Sequence, residues 1–270
     1  MRDAVLDGVD VSQVFARVLA GVDDTDAGLA AAVQAARLLA PDGRLELVTA
    51  VNLIDGRLQG WPQERVDATL KAEGGPWLDR AASLVGPGAS TRLVNAPPLR
   101  ALLDEAASNA ATLIAVGSHG QGRLTELLIG GVSGPLLHEA PCSVLIARST
   151  TAPFPVSIVV GVDGSPSSLE ALAVGRYLGT RFGVPLRAVA ARHGDVDVVH
   201  AELAAPDVEI VDGGAVDVLV DAALCGDLLI VGNRGLHGLR ALGSVSERVA
   251  HGARSSVLVV RPLLEPKEAR

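Results

Sequence analysis

The sequence contains an internal repeat that determines how many domains it forms. The segment VLAGVDDTDAGLAAAVQAARLLA at 18–40 resembles VVGVDGSPSSLEALAVGRYLG at 159–179. Each begins with an apolar run, continues through Gly-Val-Asp and a polar turn, and ends in a helical pattern. A second matching pair, GSHGQGRLTELLIGGVSG at 117–134 and GNRGLHGLRALGSVS at 232–246, follows the apolar runs 113–116 and 228–231. Two copies of one unit predict two similar domains.

The two copies differ in length at two places. Asp23 matches Asp163 and Gly117 matches Gly232, and the second copy is 25 residues shorter between these points (232 − 163 = 69 against 117 − 23 = 94). We place this deletion opposite residues 53–80, so the second copy is expected to lack most of one helix. We assign residues 1–150 to the first domain, with 1–14 as an extension, and 151–270 to the second. The linker is STTAPFP at 149–155, because its prolines and hydroxyl residues favour an irregular connection.

Strand and helix patterns alternate through the first copy. Strands such as TLIAVG and SVLIAR are almost wholly apolar, which is typical of a parallel sheet covered on both faces. Alternation of this kind predicts the α/β class, with two doubly wound domains and helices on both faces of each sheet. The predicted elements are strand 15–22, helix 27–40, strand 44–51, helix 63–85, strand 90–94, helix 98–109, strand 112–117, helix 131–139 and strand 143–148.

Composition and charge exclude several classes of protein. The formal net charge is −8 and no run of Lys or Arg occurs, so we expect no nucleic-acid partner. No apolar stretch reaches the ~18 residues that a membrane span needs, and the N-terminus carries acidic residues where a signal peptide would be basic. We therefore expect a cytoplasmic protein that does not enter a membrane. Cys142 and Cys225 are isolated in sequence, which favours reduced thiols over a metal or redox site.

The glycine-rich segment of the first copy has the pattern of an anion-binding loop. Gly117 ends a strand, Gly120 follows, and nine residues separate Gly120 from Gly130, after which a helix begins. Main-chain N–H groups at the start of a helix form a concave site for phosphate. The alternative is that these glycines only shape turns. Asp23 ends a neighbouring strand, where its carboxylate suits an adenine amino group or a sugar hydroxyl, and equally suits capping of the next helix.

These residues resemble the motifs of the universal stress protein family. The family's nucleotide-binding members carry G-x-x-G, nine residues, then G-[Ser/Thr], with an acidic residue after the first strand. The resemblance covers roughly 15–148 and 156–261 and is that of a tandem two-domain member. It implies a Rossmann-like, mainly five-stranded parallel sheet in each domain and binding of ATP, with or without Mg²⁺. It also implies domain pairing through the last strands, 143–148 and 256–261, within one chain or in a homodimer.

The resemblance assigns roles to residues of the first domain. Asp23 would contact adenine, with Val51 and Val116 flanking the base. The remaining positions would line the phosphate path: Gly117, His119, Gly120, Gly130, Gly131, Val132 and Ser133. Gly131 stands where the family has Ser or Thr, so one hydrogen bond to phosphate is missing unless its backbone N–H or the nearby Ser133 replaces it.

The second domain keeps that hydroxyl but shortens the loop. Gly243-Ser244 follows the family pattern, whereas only seven residues separate Gly235 from Gly243, and we expect this shorter loop to distort the anion site. Asp163 and Val231 are the base-side positions. The phosphate-side positions are Gly232, Gly235, Gly243, Ser244, Val245 and Ser246.

No catalytic motif accompanies these loops. The sequence contains no G-x-S-x-G, no HExxH and no Walker motif. We therefore expect a nucleotide-binding stress or signalling module and no efficient enzyme, although slow ATP hydrolysis stays open. The alternative is a degenerate scaffold that binds no nucleotide and acts through protein–protein contacts. An adenylating enzyme of similar architecture is disfavoured, because GVDDTD and GVDGSPSS differ from its S-G-G-x-D-S signature.

Overall fold

The structure, a computed structural model, describes residues 5–6, 9–53, 60–118, 131–149, 153–192, 207–233 and 245–261. The chain divides into two units, Phe15–Phe154 and Pro155–Arg270, and the second unit also takes in Met1–Val14. The extension 1–14, which the sequence analysis assigned to the first domain, thus groups with the second unit. It contains two short antiparallel strands, β1 (Val5–Leu6) and β2 (Val9–Asp10). Strands of two residues show no periodicity, so the sequence carries no signal for the unit they join.

The first unit alternates strands and helices as the pattern predicted. Its elements are β3 (Arg17–Gly21), α1 (Asp26–Leu38), β4 (Arg44–Ala50), α2 (Gln63–Val85), β5 (Ser90–Val94), α3 (Pro98–Ser108), β6 (Leu113–Gly117), α4 (Ser133–Glu139) and β7 (Ser143–Ala147). The five strands are all parallel and lie in the order β7-β6-β3-β4-β5. The doubly wound prediction is confirmed for this unit.

The strand order places a switch point between β3 and β6. The chain moves from β3 through β4 to β5 in one direction, and then returns to β6 and β7 on the other side of β3. Right-handed crossovers therefore put α1 and α2 on one face of the sheet and α3 and α4 on the other. The contacts agree, since α1 packs on α2 and α3 packs on α4. In such sheets a ligand binds beyond the carboxyl ends of the strands at the switch point.

Local sequence explains where the two longest helices of this unit begin and end. Thr25 caps α1, because its hydroxyl accepts a hydrogen bond from the Gly28 N–H at 3.0 Å. Helix α2 follows Pro62 and ends before Gly86, whose φ of 83° is in the left-handed region that glycine tolerates. The bounds of α2 are those predicted from the sequence.

The second unit has the same architecture. Its elements are β8 (Ile158–Gly161), α5 (Pro166–Phe182), β9 (Leu186–Arg192), β10 (Glu209–Asp212), α6 (Ala215–Ala222), β11 (Leu228–Gly232), α7 (Val245–Gly252) and β12 (Ser256–Val260). The strands are parallel in the order β10-β9-β8-β11-β12, which repeats the order of the first unit. The segment between β9 and β10 includes residues 193–206, which lie outside the described residues. That the second copy lacks most of one helix in this region therefore remains untested.

Small aliphatic side chains form the core of each unit. Strands β7 and β12 are buried along their whole length, and β6 and β11 are buried except at their final glycines. Such strands match the apolar runs expected of a parallel sheet covered on both faces. Among the described residues, no helix is both long and apolar enough to cross a membrane.

A partly buried acid on β4 predicts a pH-dependent stability. Burial, and next the Glu105 carboxylate, raise the pKa of Glu46 above its ordinary value of 4.5, while Arg92 opposes them. Because the folded state then holds this proton more tightly than the unfolded chain, the ionised group opposes folding at neutral pH. This penalty disappears as the pH falls through the raised pKa towards 4.5.

Glu46→Gln is therefore expected to stabilise the protein at pH 7, and to do so less as the pH falls. Glutamine keeps an oxygen that accepts from Asn109 Nδ2, which lies 2.7 Å from Glu46 Oε2. The gain is about 0.5 kcal/mol or less, since solvent screens this cluster. Urea unfolding at pH 7 and pH 4 measures it. A variant less stable than the wild type at pH 7 would contradict the expectation.

Candidate functional site

A cavity of about 450 Å³ opens at the switch point of the first unit. Its volume falls within the range of small-molecule sites. The cavity brings together all seven of the described residues that the sequence analysis proposed for this domain, namely Asp23, Val51, Val116, Gly117, Gly131, Val132 and Ser133. They come from the ends of β3, β4 and β6 and from the start of α4.

The Asp23 carboxylate shapes the turn from β3 into α1. Its Oδ1 accepts hydrogen bonds from the Thr25 backbone N–H at 3.0 Å and from the Thr25 hydroxyl at 2.5 Å. The sequence left two roles open, capping of the helix and contact with a ligand. The structure shows Oδ1 supporting the cap residue Thr25, while Oδ2 takes no part in these bonds and Asp23 lines the cavity. One carboxylate thus serves the fold and still faces the site.

Gly117 lets α1 approach the end of β6. A Cβ at this position would lie 2.6 Å from the Ala27 carbonyl carbon and 2.8 Å from the Gly28 nitrogen, closer than real side chains approach. The glycine is therefore required for helix–strand packing, the role of the last glycine in dinucleotide-binding folds. Gly117 also lines the cavity, because it ends β6 at the switch point.

The Ser133 hydroxyl ties the two ends of the glycine-rich loop together. It donates to the Gly117 carbonyl oxygen at 2.9 Å, and Ser133 is 2% exposed. The hydroxyl hydrogen is therefore already used inside the protein. The backbone N–H groups of Gly131, Val132 and Ser133 lie at the start of α4. Backbone N–H groups at a helix start have no partner within the helix. In the part of the chain that the structure describes, these N–H groups are donors at this end of the cavity.

Aliphatic side chains form the floor of the cavity. Val51 follows β4 and is 7% exposed, and Val116 on β6 is 4% exposed. Pro98 and Leu102 of α3 complete this surface from the other face of the sheet. A flat apolar group such as a nucleobase matches these walls.

Helix α2 contributes two cavity residues that sequence reasoning missed, Glu73 and Trp77. They are four residues apart and so lie on one side of the helix. The sequence does contain a signal, since Trp77 is one of two tryptophans in a chain with 2% aromatic residues. The helix was predicted correctly, but no pattern in the sequence says which of its faces meets the strand ends.

The electrostatic character of the cavity is acidic. Asp23 and Glu73 bring two carboxylates, and none of the described lining residues is a lysine, arginine or histidine. The part of the chain that the structure describes contains no group of three His, Cys, Asp or Glu that could hold a metal ion. A phosphate group would therefore depend on backbone N–H groups and on a cation brought with the ligand.

The second unit repeats the turn and the close packing of the first. Asp163 Oδ1 accepts from the Ser165 N–H at 3.0 Å and from the Ser165 hydroxyl at 2.5 Å. A Cβ on Gly232 would lie 2.8 Å from the Ser168 nitrogen. Glycine is therefore required at this position, as it is at Gly117 in the first unit. Val231 is buried at the end of β11, and α7 begins with Val245 and Ser246.

Six of the proposed site residues fall in segments outside the described residues. They are His119, Gly120 and Gly130 in the first domain and Gly235, Gly243 and Ser244 in the second. Their roles, and the effect of the shorter loop in the second domain, stay predictions.

Comparison with known proteins identifies the family. A sequence model described as "Universal stress protein family" matches residues 15–148 and 198–261. The chain belongs to the universal stress protein family. The match in the second repeat begins at residue 198, so Asp163 lies outside it. The two-domain resemblance expected from the motifs is confirmed by the relatives of this universal stress protein.

Curated relatives include one of matching length. Universal stress protein Rv2623 of Mycobacterium tuberculosis is 31% identical over 300 residues, covering 92% of this chain and 97% of the relative. Universal stress protein Rv2005c of the same species is 36% identical over 187 residues, 57% of this chain. This second match spans 63% of the relative's length.

Solved structures support the fold of this universal stress protein. A universal stress protein from Archaeoglobus fulgidus has a TM-score of 0.66 at 19% identity, covering 91% of this chain and 96% of the other. A functionally unknown protein from Pseudomonas aeruginosa has a TM-score of 0.68 at 18% identity, with coverage of 94% and 95%. At these identities the likeness establishes the Rossmann-like fold.

Proposed function

We propose that the first domain of this universal stress protein binds an adenine nucleotide, ATP in the first place, and that binding rather than turnover is its activity. The observation that carries the proposal is the cavity at the switch point, which gathers seven predicted site residues from four separate segments. Its apolar walls suit a base, and the start of α4 supplies N–H donors for phosphate.

The direction of the nucleotide follows from the charges. The two carboxylates stand on β3's turn and on α2, whereas Gly131–Ser133 present backbone donors. A phosphate chain placed among the donors avoids repulsion by the carboxylates, and the base then lies between Val51 and Val116. Mg²⁺ accompanying the phosphates would offset the remaining negative charge, since it needs few protein ligands when phosphates coordinate it.

A second candidate is a scaffold that binds no nucleotide and works through a protein partner. It is favoured by the acidic lining and by two features of the loop ends. Gly131 has no hydroxyl, and the Ser133 hydroxyl donates to Gly117 instead of to a ligand. Both candidate functions are compatible with pairing of the two domains through their last strands, inside one chain or between two chains.

The deciding experiment is to denature the purified protein and identify any nucleotide that it releases, with its stoichiometry per chain. Nucleotide-free protein is then titrated with ATP, ADP and AMP, with and without Mg²⁺, by calorimetry. The proposal expects about one adenine nucleotide per chain, held by the first domain. No released nucleotide and no uptake of added ATP by folded protein would contradict the proposal and favour the scaffold.

Gly131→Ser is expected to tighten ATP binding. A Cβ at Gly131 meets none of the described residues within 4 Å, and the new hydroxyl restores the donor that the family places at this position. One added hydrogen bond is worth about 0.5–1.5 kcal/mol, which corresponds to roughly 2- to 10-fold in Kd. Calorimetric titration measures the change.

Gly131→Ala is the matched control for this variant. It fills the same space without a hydroxyl, so the Kd for ATP and the unfolding midpoint are both expected to stay at wild-type values. Equal affinities of the Ser and Ala variants would show that no phosphate lies beside residue 131.

A further inference from the structure

Helix α2 is held close to the strands that carry the cavity. A Cβ on Gly74 would lie 2.5 Å from Leu93 Cδ1 and 2.9 Å from Thr49 Cγ2, so the helix backbone rests directly on β4 and β5. The flanking residues Glu73 and Trp77 both reach the cavity as a result. This contact fixes the position of α2 against the carboxyl end of β4, where Val51 lies.

The Trp77 indole is the aromatic group of the described cavity wall. It is half-buried, and its Nε1–H makes no hydrogen bond to any residue that the structure describes. The other walls are aliphatic, from Val51, Val116 and Leu102. A half-exposed indole beside an apolar slot offers a flat surface on which a nucleobase stacks, an interaction worth about 1–3 kcal/mol per base.

The Glu73 carboxylate lies one helical turn from Trp77 and accepts hydrogen bonds without donating any. Within the described parts of the chain it forms neither an ion pair nor a hydrogen bond. A group that approaches it must therefore bring donors and must not bring negative charge. The vicinal hydroxyls of a ribose meet both conditions, and a phosphate meets neither.

We propose that the ligand of this cavity is a ribonucleotide whose base stacks on the Trp77 indole and whose ribose hydroxyls donate to the Glu73 carboxylate. This inference rests on the proposed function and adds the recognition of the nucleoside end by helix α2. Glu73, an exposed carboxylate, then favours ribonucleotides over nucleotides that lack these hydroxyls, because a hydrogen bond to a charged acceptor is stronger than one between neutral groups.

Trp61→Phe creates a direct reporter for the stacking. It leaves Trp77 as the one tryptophan of the chain, and Trp61 stands apart from the cavity wall with the Arg65 guanidinium 3.9 Å from its ring centroid. ATP is expected to change the Trp77 emission saturably, with the same midpoint as binding of labelled ATP in equilibrium dialysis. Trp77→Leu is expected to weaken ATP binding by about 5- to 100-fold, and Trp77→Phe by less, because phenylalanine retains a stacking face.

The ribose contact is tested by comparing ATP with 2′,3′-dideoxy-ATP. Wild-type protein is expected to prefer ATP by about 2- to 10-fold, and Glu73→Ala to lose most of this preference, because alanine has no acceptor for the ribose hydroxyls. Asp79→Ala is the matched control, since Asp79 is an exposed carboxylate on the same helix outside the cavity wall, and the preference of this variant should equal that of the wild type.

The outcomes separate this inference from the proposed function. If dialysis shows ATP bound while Trp77 emission stays constant and the Trp77 and Glu73 variants bind like wild type, the α2 contacts are wrong and the nucleotide site stands. If dialysis shows no ATP bound to the wild type, both proposals fall. Coincident dialysis and fluorescence midpoints, with the ribose preference lost in Glu73→Ala, support both.

Discussion

Gly117→Ala is expected to destabilise the first domain by about 2–3 kcal/mol and to weaken ATP binding. The new Cβ would lie 2.6 Å from the Ala27 carbonyl carbon and 2.9 Å from its Cβ, so α1 must move away from β6. Backbone atoms cannot rotate out of the way as a flexible side chain does, and overpacking of a core typically costs 1–3 kcal/mol. Movement of α1 carries the Asp23 turn with it. Urea unfolding and ATP calorimetry measure the two effects.

Two glycine variants serve as controls for this result. Gly131→Ala adds a methyl group where no atom of the described residues lies within 4 Å, and it is expected to leave stability unchanged. Gly232→Ala repeats the clash in the second domain against Ser167 and Ser168, so it is expected to destabilise that domain while ATP binding by the first domain persists. Hydrogen exchange of the β6 and β11 amides shows which domain each substitution destabilises. A Gly117→Ala protein that unfolds at the wild-type urea concentration would refute the packing role.

Asp23→Asn is expected to weaken ATP binding by about 10- to 100-fold with little change in stability. Asparagine keeps an Oδ1 that accepts from the Thr25 N–H and hydroxyl, so the turn into α1 persists. It replaces Oδ2 with an amide nitrogen that donates, and so cannot accept from an adenine amino group. Hydrogen bonds to charged groups contribute about 1.5–3 kcal/mol. Calorimetry gives the Kd, and thermal unfolding verifies the fold.

Asp163→Asn is the matched variant in the second domain. Asp163 makes the same pair of hydrogen bonds, to the Ser165 N–H and hydroxyl, so the substitution is structurally equivalent. With nucleotide held by the first domain, this variant is expected to bind ATP like the wild type. If Asp163→Asn loses ATP and Asp23→Asn retains it, the working site is the one in the second domain.

The elements of the first domain were predictable because their signals are local. Helix 63–85 and strand 90–94 have the predicted bounds, and Pro62 and Gly86 delimit the helix. Strand 15–22 was predicted too long, because residues Val11–Phe15 form a 3₁₀ helix and pairing with β4 extends over Arg17–Gly21. A strand ends where its neighbours stop pairing, and single-sequence patterns do not contain that information.

The candidate site was predictable in part. Asp23 and Gly117 were identified because parallel strands in a doubly wound sheet bring their carboxyl ends to one edge, and Ser133 was identified through the family resemblance. The hydrogen bond of the Ser133 hydroxyl was not predictable, since its acceptor is the Gly117 carbonyl oxygen, sixteen residues away in the chain. Helix 131–139 accordingly begins at Ser133, after a turn at Gly131 and Val132.

The sequence by itself contains the repeat, the alternation of strands and helices, and the glycine pattern. Together these features predict two doubly wound domains of the universal stress protein family, and the family is confirmed. The tertiary structure alone reveals that Gly117 is occupied with packing against α1, and that Glu73 and Trp77 face the cavity. Periodicity acts over a few residues of one segment. Distances between segments far apart in the chain determine which faces of helices and strands meet. They also determine which hydrogen-bond donors already have a partner inside the protein.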